Sequence, residues 1–272
     1  MSKIKKNERI AAITKILVEN PNVIYTLDYF SKKLDTAKST LSDDVFTIKE
    51  SLSKLGLGEI ISIPGARGGV KYVPIWEEKS IRDFLLKLCD ELKDSKRIIP
   101  GGFIYMTDII LSPTTVSYIG EIFADRFSET DPDYIVTVET KGITPALMTA
   151  RAMNKPLVIV RRNFKVTEGP SVSINYLSGS SQRIQTMSLP RRAIEKNARV
   201  LFIDDFMKAG GTAKGMMDLA MEFDSEVVGI GVLVATKEPE DKLVDDFFQL
   251  MTLNSVDIRT GNIDIVPNAN FK

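Results

Sequence analysis

The sequence predicts an α/β chain in two parts: a small helical head closed by a β-hairpin over residues 1–75, and a larger body with a mainly parallel sheet over residues 76–272. Three observations predict it. Apolar residues recur at spacings of three and four as far as Leu55. Two β-prone runs then flank the turn-rich stretch PGARGG. From about residue 100, apolar β-branched runs alternate with helical segments, the pattern of a parallel sheet.

The head reads as three helices and a hairpin. Residues 7–19, NERIAAITKILVE, place Ile10, Ile13 and Leu17 on one face, and Asn20-Pro21-Asn22 stops that helix. A short helix runs from Thr26, its N-cap, to Leu34. In 35–56 the residues Leu41, Val45, Ile48, Leu52 and Leu55 form the stripe of a third helix, ended by Gly56. EIISI and VKYVP supply two short strands. This is the order of a winged helix-turn-helix, whose third helix enters the major groove by its N-terminal residues. Those residues are Lys38, Ser39, Thr40 and Ser42, a cation and three hydroxyl donors suited to phosphates and base edges. Arg67, between glycines at the hairpin tip, and Lys71 would form the wing contact with double-stranded DNA. Ser and Thr are also ordinary helix-start residues, so a plain helical domain remains the alternative. Asp43 and Asp44 would repel phosphate and are expected to face away or to serve the helix dipole.

Residues 76–94 predict a linking helix with an Ile81, Leu85, Leu88, Leu92 stripe, Phe84 beside it, and Cys89 as a small buried apolar residue. The stripe is expected to pack on the body or on another subunit. In the body, 134–139, 156–162, 199–205 and 226–236 read as strands, and 145–153 and 212–223 as helices. Ligands of such sheets sit outside the carboxyl ends of the strands.

Composition narrows the chemistry. The chain has 272 residues, 43% hydrophobic and 26% charged, which suits a folded protein with a sizeable core. It has no histidine, which excludes a Ser-His-Asp triad, a Cys-His pair and a histidine-ligated metal. One cysteine excludes an internal disulfide framework. With no bilayer-length apolar run and no signal-peptide apolar region, the expectation is a cytoplasmic protein without membrane contact. The formal net charge is zero, but residues 1–74 carry 12 Lys and Arg against 8 Asp and Glu, and the remainder 24 against 28. A basic head on an acidic body suits nucleic-acid binding joined to a second role.

The stretch 200-VLFIDDFMKAGGT-212 carries the chemistry. Four apolar residues lead a strand into Asp204 and Asp205, adjacent carboxylates placed to accept hydrogen bonds from a vicinal diol. The loop Ala209, Gly210, Gly211, Thr212 then opens a helix whose amides, hydroxyl and dipole make an anion site. Diol acceptors beside an anion cradle describe a ribose 5-phosphate site. The stretch resembles the signature of the type I phosphoribosyltransferases, which bind phosphoribosyl pyrophosphate (PRPP). Two further segments are similar to that family. The turn 139-ETKGI-143 resembles its pyrophosphate loop, implying diphosphate contacts from Thr140, Lys141 and Gly142. The polar, turn-rich 163–189 resembles the mobile hairpin that closes over PRPP.

Lys208 departs from the family pattern, which commonly has aspartate or alanine there. It is expected to place a buried or half-buried cation among the leaving groups, which argues for binding without turnover. With the head included, the whole chain resembles the purine operon repressors of Gram-positive bacteria. That resemblance implies a dimeric DNA-binding regulator of purine genes, released by PRPP, with or without Mg²⁺. Guanosine tetraphosphate is expected to compete for the pocket, and no other cofactor is implied. Phe206, with Met207 beside it, is expected to line the pocket and stack on a guanine, and Tyr105 is a second candidate. Two other readings stay open: an active purine phosphoribosyltransferase with a regulatory head, and a DNA-binding protein whose body only dimerises.

Overall fold

A computed structural model describes residues 4–65, 68–162, 169–177 and 184–271. The chain divides into two compact units, Met1–Glu77 with Arg151–Asn154, and Glu78–Ala150 with Lys155–Lys272.

The smaller unit holds α1 (Lys6–Glu19), α2 (Leu27–Leu34), α3 (Lys38–Lys54), β1 (Glu59–Ile63) and β2 (Gly69–Val73). Thr26 caps α2, its hydroxyl accepting from the Tyr29 amide at 3.1 Å. The periodic residues of the three helices converge on one core, in which Ile13, Leu17, Phe30 and Leu41 are fully buried. β1 and β2 pair antiparallel. Tyr25, just before α2, exchanges backbone hydrogen bonds with Val70 and adds a third short element to that sheet. Helices, hairpin and bridging segment together make a winged helix-turn-helix. Asp44 faces inward, with 1% of its surface exposed, and pairs with Arg9; it therefore neither meets solvent nor serves the helix start. Asp43 is exposed.

The larger unit contains α4 (Glu78–Leu92), β3 (Ile98–Ile99), β4 (Phe103–Ile104), α5 (Thr107–Ile110), α6 (Pro113–Arg126), β5 (Tyr134–Val138), α7 (Ile143–Met153), β6 (Leu157–Val160), β7 (Ser171–Leu177), β8 (Ile184–Pro190), β9 (Arg199–Met207), α8 (Gly211–Met221), β10 (Glu226–Thr236), β11 (Phe248–Asp257) and β12 (Asn262–Pro267). Six strands form one sheet in the order β12-β11-β10-β9-β5-β6. All pairings in it are parallel except that of β11 with β12. The apolar stripe of α4 packs against β12 and β11 of this same unit. Cys89 is fully buried there, and burial pushes its thiol up to about 12, so it is inert packing. No described helix is long and apolar enough to cross a membrane.

Burial on both faces explains why β9 reads as a continuous apolar run. Val200 and Phe202 join the cluster formed with Ala213, Met216 and Leu219 of α8. Leu201 and Ile203 reach the space beside Gly229 and Gly231, where Phe127 also lies. The chain passes from β5 to its neighbour β6, then crosses back to β9 on the other side of β5 and moves outward to β10. The strand order thus reverses between β5 and β9. Their pairing runs from Tyr134–Val200 to Val136–Phe202, short of the strand ends. Beyond it a crevice opens, the expected ligand position in an open parallel sheet.

β7 and β8 form an antiparallel hairpin from Ser171–Pro190 to Leu177–Ile184. The rest of the segment read as a closing hairpin, residues 163–168 and 178–183, lies outside the described residues.

Candidate functional site

The crevice widens into a cavity of about 420 Å³ within the larger unit. The carboxyl end of β5 brings Glu139, Thr140 and Lys141 to its wall, and that of β9 brings Asp204 through Thr212. Two distant segments of sequence meet because their strands are neighbours at the reversal point. The Glu139–Thr140 peptide is cis.

Asp204 is nearly buried, and its Oδ1 accepts from the Asp205 amide at 2.9 Å. Burial pushes the Asp204 carboxyl well above the usual range, and the Asp205 charge adds to the rise. Asp205 is raised by burial as well, against lowering by its hydrogen bonding with Asp204 and by the charges of Lys141 and Arg162. Two adjacent carboxyls in so little water repel each other and favour the neutral form of one of them. They favour a ligand that supplies hydrogen-bond donors.

Gly210 has φ 79, in the left-handed region, and forms the N-cap of α8. Gly210, Gly211 and Thr212 line the cavity, and the amides of a helix's first turn, which have no partner within the helix, suit an anion there. The end of β10 and the loop after it support this turn: the Leu243 amide donates to Ala209 O at 2.9 Å, and Thr236 Oγ1, which donates to Glu238 O at 2.6 Å, lies 3.2 Å from Lys208 O. Gly142 stands behind the cavity wall rather than in it, so close to Asp204 that a Cβ there would strike both Asp204 Oδ1 and Thr137 Oγ1. Among the described residues no group of three or more His, Cys, Asp or Glu is arranged as a metal site.

Several sequence expectations change at this site. Lys208 lines the cavity but is exposed, not buried or half-buried. The β9 strand ends at Met207, which is itself buried, and the next side chain turns to the rim. Tyr105 is 43% exposed and stands outside the cavity wall. The aromatic of that region in the wall is Phe103, with Ile99, Ile104 and Met106 beside it. Phe206 and Met207 do line the cavity. The sequence reading missed Arg162, a cation at the carboxyl end of β6 that reaches the same wall. Its position just past an apolar strand beside the reversal point was the available signal. Tyr176 of β7 was missed too. Its ring lies against Gly215 of α8, and its hydroxyl donates to Gln185 Oε1 at 2.7 Å and lies in hydrogen-bonding reach of Thr212.

In the smaller unit, Lys38, Ser39 and Ser42 are exposed at the start of α3, with Thr40 half-buried. Lys38 Nζ pairs with Asp28 Oδ1 at 2.6 Å. Phe46, 63% exposed, shares the face of Ser39, Ser42 and Asp43 at helical spacing and was not foreseen. Lys71 on β2 is half-buried, its Nζ donating to Asn22 Oδ1 at 2.8 Å. Arg67 lies outside the described residues.

Comparison with known proteins agrees with this division. Residues 5–74 match the bacterial purine repressor N-terminal family, and residues 107–265 match the phosphoribosyl transferase domain family. The chain is 44% identical over 269 residues to the purine biosynthesis transcriptional repressor PurR of Bacillus subtilis, covering 99% of this chain and 94% of that protein. It is 37% identical to the purine biosynthesis transcriptional activator PurR of Lactococcus lactis, covering 96% and 97%. The larger unit shares its fold with an adenine phosphoribosyltransferase from Thermoanaerobacter pseudethanolicus, at TM-score 0.53 and 19% identity, covering 61% of this chain and 99% of that one. A purine-repressor head, a phosphoribosyltransferase-fold body and full-length similarity to these regulators place the chain in the family of bacterial purine biosynthesis transcriptional regulators.

Proposed function

We propose that the chain represses purine genes as a homodimer on double-stranded DNA, and that PRPP in the cavity of the larger unit releases it. One observation carries this reading: paired buried carboxylates and a glycine-turn helix N-terminus line the same cavity. Asp204 and Asp205 accept the ribose 2- and 3-hydroxyls. The amides of Gly210, Gly211 and Thr212 hold the 5-phosphate. Thr140, Lys141 and Gly142 receive the diphosphate, with Arg162 adding charge. The apolar wall of Phe103, Met106 and Phe206 suits a planar base, which supports guanosine tetraphosphate as a competing ligand that favours repression. In the smaller unit, Lys38, Ser39, Thr40 and Ser42 meet the major groove.

The body binds without turning over. Absence of histidine supports this, and Lys208, though exposed, stands where the family commonly has aspartate or alanine. So do the full-length relatives, which are regulators by name. PRPP acts by binding the DNA-free form more tightly than the DNA-bound form, since a ligand without that difference shifts nothing.

A gel-shift titration on a fragment upstream of a purine gene tests the reading, with PRPP and Mg²⁺ added to the preformed complex. Loss of the shifted band is the expected result, and guanosine tetraphosphate should restore it. Indifference to PRPP would sink the proposal. Nucleotide formed from PRPP and a purine base would establish the enzyme instead.

A further inference from the structure

Two buried side-chain oxygens among the described residues have no hydrogen-bond partner, Thr137 Oγ1 and Thr144 Oγ1. They flank Gly142 in the chain. Thr137 is fully buried near the carboxyl end of β5. A single Cβ on Gly142 would strike both Thr137 Oγ1 and Asp204 Oδ1, so these two oxygens are neighbours across the missing side chain. A buried hydroxyl without a partner is costly, and valine would fill the same volume without that cost. The threonine is therefore poorly explained by the empty cavity alone.

We infer that Thr137 is a positioning residue for effector capture, its hydroxyl donating to the Asp204 carboxylate when that group is ionised and engaged by the ribose diol. The inference rests on the proposed role of Asp204 as a diol acceptor. Burial, and then the Asp205 charge, raise the Asp204 carboxyl and so disfavour its ionised form. Ligand binding calls for the ionised form, and a hydrogen bond to the ionised form favours it. The charged and titratable groups facing this carboxylate are Asp205 beside it, Arg162 after β6 and Tyr176 of β7, while Lys141 after β5 acts on Asp205. Of these, the Asp205 amide already donates to Asp204 Oδ1. The two oxygens are not hydrogen-bonded as they stand, and a small side-chain adjustment of Thr137 or Asp204 on ligand binding brings the hydroxyl to the carboxylate.

The test is calorimetric titration of PRPP into the full chain and into Thr137→Val, Thr137→Ser and Asp204→Asn, across the neutral pH range. Thr137→Val should bind roughly tenfold to a hundredfold more weakly, the range for a lost hydrogen bond to a charged group. Its affinity loss on acidification should begin at a higher pH. Its melting temperature without ligand should be unchanged or raised. Thr137→Ser, which keeps the hydroxyl, should bind like the unmodified chain. Unchanged affinity and pH profile in Thr137→Val, while Asp204→Asn has lost binding, would overturn the inference and leave the site assignment standing. Should Thr137→Val lose stability and fail to fold, weak binding by a well-folded Thr137→Ser would overturn it equally. No binding by the unmodified chain would overturn both.

Discussion

Arg9 of the first helix grips Asp44 of the third: Nε donates to Oδ2 at 2.6 Å and Nη2 to Oδ1 at 3.2 Å, both side chains almost wholly buried. Arg9 Nη1 also donates to Ile4 O at 3.1 Å. The pair ties the helix proposed to face DNA to the helix behind it. Asp44→Ala leaves a buried guanidinium without its partner and should cost about 3–5 kcal/mol, whereas an apolar replacement of both residues at similar volume should recover most of that. Urea melts of the two variants check the contrast. A loss under about 0.5 kcal/mol in Asp44→Ala, the range of neutral surface changes, would refute the assignment.

Asp204 poses the opposite case, in which function and stability compete. Burial raises its carboxyl, so the folded empty protein holds a proton that the unfolded chain releases at the ordinary aspartate value. The folded state then binds more protons across the window between the two values, and stability of the ligand-free protein falls as pH rises through it. Asp204→Asn removes that cost. The variant should melt about 2–4 °C higher, matching a gain of about 1 kcal/mol in a unit this size, with a flatter pH dependence. It should also resist release from DNA by PRPP, as should Asp204→Ala. A variant that PRPP still releases normally would disprove the diol assignment.

Gly142→Ala probes how closely the diphosphate turn approaches the acids. The added methyl would meet Asp204 Oδ1 and Thr137 Oγ1, neither at the end of a flexible chain. Displacing the turn should cost about 1–3 kcal/mol, as overpacking does. Because Gly142 follows Thr140 and Lys141 of the cavity wall and abuts Asp204, PRPP binding should weaken at least about tenfold, the effect of about 1.4 kcal/mol. DNA affinity without ligand should be unchanged. Equal losses in both assays would place the defect in folding rather than in the site.

Elements with local signals were legible in the sequence: α3 by its leucine and isoleucine stripe, β9 by its unbroken apolar run, and the turn into α8 by Gly210 and Gly211. What escaped was decided at long range. Arg9 and Asp44 are 35 residues apart, and no spacing rule joins them. β11 and β12 complete the sheet but were not identified, and neither was α6, whose buried Val116, Ile119, Gly120 and Phe123 do fall on one helical face, with buried Ile122 and Ala124 widening it. Lys208 was read from the motif alone. Its exposure depends on where β9 ends, and the end of β10 with the loop after it, which meets the carbonyls of Lys208 and Ala209, contributes to that. Phe103 and Tyr105 are two residues apart on a short segment, and sequence offers no reason to prefer one. The fold alone puts Phe103 at the cavity.

Lys38 is exposed and pairs with Asp28, also exposed, at 2.6 Å. Such a pair contributes about 0–1 kcal/mol to stability, so breaking it should barely change a melt. Its effect on DNA should be larger. If Lys38 contacts a phosphate, Asp28 competes for it and adds a repelling charge nearby. Lys38→Gln should weaken binding to all sequences alike and reduce the salt slope by about one. Asp28→Asn should do the reverse, tightening binding at low salt most, where screening is least. Binding measured over a range of salt concentrations separates these outcomes. A Lys38→Gln variant with an unchanged slope would move the phosphate contact elsewhere on the head, and a tighter Asp28→Asn would then reflect only general repulsion.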